Sequence, residues 1–268
     1  MFEKVNPGHP DKVADRIAGA IIDEAYNKNE NPHIAVEILL GHGNCYIILE
    51  SDIKINNEKI KEIVKRIADI DNVVIDFNNQ DVNLNSNQKQ GLKCGDNGIF
   101  KPVIITPEQR ELVNIAGKLY RKIPYDGKYL INNDIVTICQ SNTYKDNIYR
   151  TAPELKYFNI VNINPLGYWT GGPDVDSGAT NRKLGSDMGD GITGGGLHGK
   201  DLSKADVTMN ICAYLDKKEY MCSIGDEYID GIPYYKYVER AREYIESIGG
   251  FEKFAEWGLI RPDKNIVE

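Results

Sequence analysis

Apolar and polar residues alternate along this chain in two periods, and the two periods take turns. From Pro10 to Tyr26, Val13, Ile17 and Ile21 recur four residues apart, which predicts a helix with one buried stripe. Pro10 suits its first position, and Asp11 in the first turn complements the helix dipole. From His33 to Leu40 the period drops to two, with Ile34, Val36 and Ile38 on one face and Glu37 on the other. Cys45–Glu50 continues as a second strand after Gly41-His42-Gly43-Asn44, a hairpin turn. Glu58–Ile70 is predicted as an amphipathic helix and Val73–Phe77 as a short strand.

Asn78–Asn97 is polar and rich in Asn, Gln and Gly, so a loop is expected there, with weak strand character around Val82. A helix is predicted for Pro107–Ile123 behind Thr106 as N-cap, and strand character for Lys128–Cys139. Lys204–Lys217 and Tyr237–Trp257 read as further helices, the latter broken at Gly249-Gly250. Helices and strands that interleave throughout predict an α+β architecture of mixed α/β type.

The 268 residues suffice for a sizeable core or for two or three small units. A net charge of −8 argues against a general nucleic-acid binder, which needs a basic face. Nothing reaches the length of a membrane span. Five scattered cysteines (45, 94, 139, 212 and 222) form no C-x-x-C pair, so the expectation is reduced thiols and a cytoplasmic protein.

Candidate chemistry concentrates between Gly171 and Asp206. Glycines alternate there with Asp176, Arg182, Lys183, Lys200, Lys204 and Asp206. Glycine lets a backbone approach a ligand closely, and cations mixed with carboxylates suit a polyphosphate with its divalent metal. No Walker-type or dinucleotide-type glycine motif is present. Gly8-His9-Pro10-Asp11-Lys12 fits two readings on its residues alone: a proton donor and metal carboxylate, or simply the start of a helix. Glu37 and Glu50 either face a common site or are exposed strand carboxylates. Tyr125-Asp126-Gly127-Lys128 reads locally as an ordinary turn. His33, His42 and His198 lack ligand spacing, and His33 and His42 are expected in turns or at the surface.

Taken in order, these segments resemble the S-adenosylmethionine synthetase family. Gly8–Lys12 matches its GHPDK stretch, Gly171–Lys183 its GGPxxDxGxTxRK motif, and Gly194–Asp206 approximates its GGGxxxGKDxxKxD phosphate segment. The ordered set spans most of residues 2–218 and is specific where each motif alone is not. The resemblance implies three related βαβ-containing units about a pseudo-threefold axis, here trimmed, at 1–94, 95–163 and 164–268. It implies transfer of adenosyl from ATP to the sulfur of L-methionine, then hydrolysis of the tripolyphosphate to diphosphate and phosphate.

The resemblance also assigns residues. His9, Arg182 and Lys183 would be catalytic. His9, Asp126, Lys128, Arg182, Lys183, Lys200 and Lys204 would hold ATP and its phosphates. Glu50, Gln88, Asp96 and Asp176 would bind methionine. Asp11 and Asp206 would bind Mg²⁺, and Glu37 would bind K⁺. A homodimer with shared active sites is implied, with doubling to a tetramer in some members. The chain departs from the pattern as well. It is shorter than family members, Val175 stands where a glycine is usual, and Gln88–Gly95 is much shorter than the usual gating loop. A non-catalytic binder of the same ligands, or a tripolyphosphatase without the methionine step, are the alternatives.

Overall fold

A computed structural model describes residues 1–81 and 91–267. The weak strand expected at Val82 and the residue Gln88 lie outside the described residues. Helix α1, Pro10–Tyr26, forms where the pattern places it, and buries Val13, Ile17 and Ile21. The hairpin follows as β2, Ile34–Gly41, and β3, Asn44–Ser51. His42 and Gly43 have φ of 50° and 76°, the left-handed pair that a two-residue turn between twisted strands requires. Helix α2, Asn57–Ala68, crosses over to β4, Asn72–Asn79, which runs parallel to β3. The strand thus extends into what the polar composition predicts as loop.

A second unit repeats this order. After β5, Gly98–Phe100, comes helix α3, Pro107–Lys122, closed by a full capping box between Thr106 and Gln109. Hairpin β6, Gly127–Asn132, and β7, Ile135–Gln140, resolves the strand character expected at Lys128–Cys139. Helix α4, Lys145–Thr151, and a 3₁₀ turn lead to β8, Ile160–Ile163, parallel to β7. The third unit is reduced. After the short helix α5, Leu184–Met188, helix α6, Ala205–Asp216, precedes short β10, Tyr220–Cys222, which among the described residues pairs only with β5. A two-residue-strand hairpin, β11, Tyr228–Ile229, and β12, Ile232–Pro233, leads to helices α7, Tyr234–Ser247, and α8, Phe251–Trp257. The predicted break at Gly249-Gly250 is real, with φ of 96° and 100°. Asp23 of α1 caps α8 across it, accepting from Phe251 N and Glu252 N at 2.7 and 2.9 Å.

Two four-stranded sheets result, ordered β4-β3-β2-β9 and β1-β6-β7-β8, where β1 is Phe2–Val5 and β9 is Gly178–Ala179. One contiguous apolar core lies between the sheets and the helices. Helix α6 is buried at every position from Ala205 to Ala213, so it carries no polar stripe. The outer faces of both sheets carry exposed apolar side chains: Leu39, Tyr46, Ile48 and Val74 on the first, beside Glu37 and Glu50, and Leu130, Ile135 and Ile160 on the second.

Strand β9 meets α1 with no room to spare. A Cβ on Gly178 would overlap the backbone carbonyl of Pro10. Gly178→Ala is therefore expected to cost about 1–3 kcal/mol, the usual penalty for overpacking, read as a lower urea midpoint. An unchanged midpoint would mean that the two elements do not pack this closely.

Candidate active site

The site grows from the first turn of α1. His9 is the N-cap, and its Nδ1 accepts from Asp11 N at 3.2 Å. Asp11 is buried, and its Oδ1 accepts from Ala179 N of β9 at 2.9 Å. Lys183 Nζ lies 2.8 Å from Asp11 Oδ2, and Arg182 reaches Oδ1 at 3.6 Å. Burial alone would raise the Asp11 carboxyl, but the bonds from Lys183 and Ala179 outweigh it and hold the group below its ordinary value. For His9, burial dominates and lowers the imidazole to about 4, with Lys183 and Lys128 adding to it against Asp11 and Asp176. At neutral pH His9 is an uncharged imidazole, suited to hydrogen bonding at a developing oxyanion.

The second side of the cleft comes from the turn before β6. Asp126 is buried and its Oδ2 accepts from Gly172 N at 3.2 Å. Burial pushes its carboxyl up to about 6, with Asp176 and Asp11 adding to the rise. The sequence therefore conceals a perturbed acid in what reads as an ordinary turn. Lys128 projects from β6 and pairs with Glu3 at 2.9 Å. Because the folded-state value lies above the unfolded one, ionising Asp126 destabilises the fold as pH rises from about 4 to about 6. Asp126→Asn is thus expected to raise Tm at about pH 8 and to leave it unchanged at about pH 4. An equal shift at both values would contradict the burial argument.

The phosphate segment supplies a second cation–carboxylate pair. Lys200 Nζ lies 2.6 Å from Asp206 Oδ2, at the start of α6. Gly195, at φ 75°, passes so close that any Cβ would overlap the Asp206 carboxylate. Lys200 also bridges to Ala35 at the edge of β2, and Ala35 pairs with Glu50 across the hairpin. Glu37 and Glu50 share the exposed outer face of that sheet, and Glu37 accepts from the Thr180 hydroxyl. Asp176 is exposed in the loop before β9, where its charge acts on His9 and Asp126. Lys204 is half-buried as the α6 N-cap residue. Gly95 N donates to Ser203 O at 3.2 Å, which sets the half-buried Asp96 beside that turn.

Beneath these pairs lies a cluster with no counterpart in the sequence reading. Lys12 is fully buried, with Nζ 2.6 Å from Asp187 Oδ2, 3.0 Å from Asp15 Oδ2 and 3.2 Å from His198 Nε2. Burial alone would discharge the amine, but Asp15 and Asp187 outweigh it and keep the ammonium charged. Asp15, Asp187 and His198 have metal-ligand spacing, yet the Lys12 ammonium fills the space that an ion would take. A second fully buried lysine, Lys4, donates to Ser186 O at 2.7 Å and Trp257 O at 2.9 Å, and burial lowers it to about 7.

The chain is similar to known proteins in sequence and in fold. Residues 1–91 match the family described as S-adenosylmethionine synthetase, N-terminal domain. An S-adenosylmethionine synthase from Nitratiruptor is 29% identical over 265 residues, covering 76% of this chain and 68% of the relative. The chain is similar to S-adenosylmethionine synthetases along most of its length. A second synthase, from Borrelia garinii, is 27% identical, with 84% and 74% of the two chains covered. An unusual S-adenosylmethionine synthetase from Campylobacter jejuni superposes along the whole of both chains, with a TM-score of 0.70 at 16% identity, so the synthetase fold is shared.

Proposed function

We propose that the chain forms S-adenosylmethionine from ATP and L-methionine, and hydrolyses the bound tripolyphosphate to diphosphate and phosphate. The observation that carries this reading is the Lys183–Asp11 pair at the capped start of α1. It sets a cation, a carboxylate and a neutral imidazole around one helix N-terminus, an arrangement that favours a polyanion. The names of the relatives support it.

In this reading the methionine sulfur attacks C5′ of ATP and the C5′–O bond breaks, releasing the triphosphate chain. Negative charge grows on the leaving oxygen. Neutral His9 donates a hydrogen bond there, and Arg182, Lys183, Lys200 and Lys204 neutralise the chain in place. Asp126 and Lys128 hold the nucleoside side, and Glu50, Asp96, Asp176 and Gln88 receive methionine.

Asp11 and Asp206 fit Mg²⁺ by donor chemistry: each is a carboxylate with a lysine ammonium beside it, free to turn to phosphate as the metal arrives. Mg²⁺ there supplies charge neutralisation to the polyphosphate. Glu37 is the residue for K⁺. The exposed apolar faces of the two sheets are proposed to pair in a homodimer, which assembles further into a tetramer if dimers dock.

Incubating the protein with ATP, methionine, Mg²⁺ and K⁺ and analysing products by mass spectrometry tests the reading. The expected products are S-adenosylmethionine, diphosphate and phosphate. Ligand binding without product would replace the enzyme with a binding protein. Phosphate release at the full rate without methionine would replace it with a tripolyphosphatase.

A further inference from the structure

His198 is buried and joins the two cationic segments of the site. Its ring lies between a carboxylate and an ammonium, with Nε2 3.0 Å from Asp187 Oδ2 and 3.2 Å from Lys12 Nζ. As a donor Nε2 satisfies Asp187; as an acceptor it satisfies Lys12. The ring therefore has a partner in either tautomer. The ring edge packs on Phe254, with centroids 5.3 Å apart.

The backbone of the same residue is clamped. His198 N donates to Asn181 Oδ1 at 2.9 Å, and Asn181 Nδ2 donates to His198 O at 3.0 Å. Asn181 N in turn donates to Asp15 Oδ1 at 2.8 Å. Asn181 has φ 63°, and its side-chain bonds hold that left-handed conformation. Arg182 and Lys183 follow Asn181 by one and two residues, and Lys200 follows His198 by two.

We infer that His198, clamped by Asn181, is a positioning residue that fixes the spacing of the Arg182–Lys183 and Lys200 cations for a bound polyphosphate. The inference rests on the reading given under Proposed function. Its logic is local. Both segments are glycine-rich and would drift independently, since glycine leaves many backbone states open. A doubly hydrogen-bonded clamp, pinned beneath by Lys12 and Asp187, couples them. A polyphosphate then meets preset charges and does not have to order them. An aliphatic residue at 198 would fill the same volume against Phe254 but would leave Asp187 and Lys12 without the ring contact.

The test uses the full-length protein and inorganic tripolyphosphate with Mg²⁺, titrated calorimetrically and referred to folded protein. Wild type is expected to bind. His198→Ala is expected to bind at least about tenfold more weakly, as for residues that orient ligating groups, and His198→Gln, which can still reach Asp187, to return within about threefold of wild type. Asn181→Gly provides the second variant. Glycine accepts φ 63° without strain, so this change removes only the clamp; about a tenfold loss is expected. If His198→Ala does not fold, Asn181→Gly decides. Affinity within about threefold of wild type in a folded His198→Ala or in Asn181→Gly, or a His198→Gln no better than His198→Ala, would overturn the inference. A wild type that binds neither tripolyphosphate nor ATP would overturn the synthetase reading itself, a result distinct from loss in the variants alone.

Discussion

Substituting Lys183 by methionine is expected to lower the rate of S-adenosylmethionine formation by about 10²–10³-fold, the loss usual when one preorganised stabiliser of developing charge is removed. Lys183 sits at the position where this effect is largest. Its ammonium is 2.8 Å from Asp11 and only slightly exposed, so its field is little screened by water. Methionine keeps most of the side chain's volume and removes the charge. The fold should tolerate the change, because Asp11 retains its bond from Ala179 N and the approach of Arg182. The check is a product-formation assay beside a urea melt. A large loss of rate with a near-normal midpoint is the expected pair. Equal rates in mutant and wild type would remove Lys183 from the mechanism.

Lys12→Met has its main effect on stability instead. Lys12 is the shared partner of two fully buried carboxylates. Removing one member of a buried ion-pair network leaves the others charged and desolvated, and costs about 3–5 kcal/mol. Asp187 depends on this ammonium most. Burial would raise its carboxyl, and Lys12, followed by His198, reverses that and holds it well below the carboxylate range. A shift of this size consumes much of an ordinary domain's margin of about 5–15 kcal/mol, so urea denaturation is a sensitive readout. A loss below about 1 kcal/mol would mean that water or a proton compensates the pair. Lys12→Met should also loosen the polyphosphate clamp, since His198 then loses one of its two ring partners.

The elements that were readable from sequence carry their instructions locally. Helices α1 and α3 have their caps, first-turn acids and apolar stripes within a few residues, and the β2–β3 hairpin has its turn residues between two alternating runs. The break between α7 and α8 was legible because a pair of glycines readily takes two successive positive φ values. Strands β1, β5, β8 and β9 were not legible. Each has four residues or fewer, and each exists because a distant strand offers it hydrogen bonds. The site divides in the same way. His9, Asp11, Arg182 and Lys183 stand in compact motifs, and the fold brings them within hydrogen-bonding or ion-pair distance. Asp126 was named but its raised carboxyl was not, since burial by Gly172 and its neighbours is a tertiary property. Asp15, Asp187, Asn181 and His198 lie up to 183 positions apart, with no spacing that links them.

The exchange of short strands between the two sheets has a consequence for how the chain is made. Phe2–Val5 pair with Lys128–Ile131, and the first hairpin receives its edge strand from Gly178–Ala179. Neither sheet can be completed by the stretch of chain that supplies most of its strands. During synthesis the Phe2–Val5 segment therefore stays unpaired until more than a hundred further residues have followed it. Contacts of such long sequence separation slow folding, because loop closure precedes their reward. The same wiring makes the molecule indivisible: a cut at any unit boundary takes one strand away from the sheet on the other side.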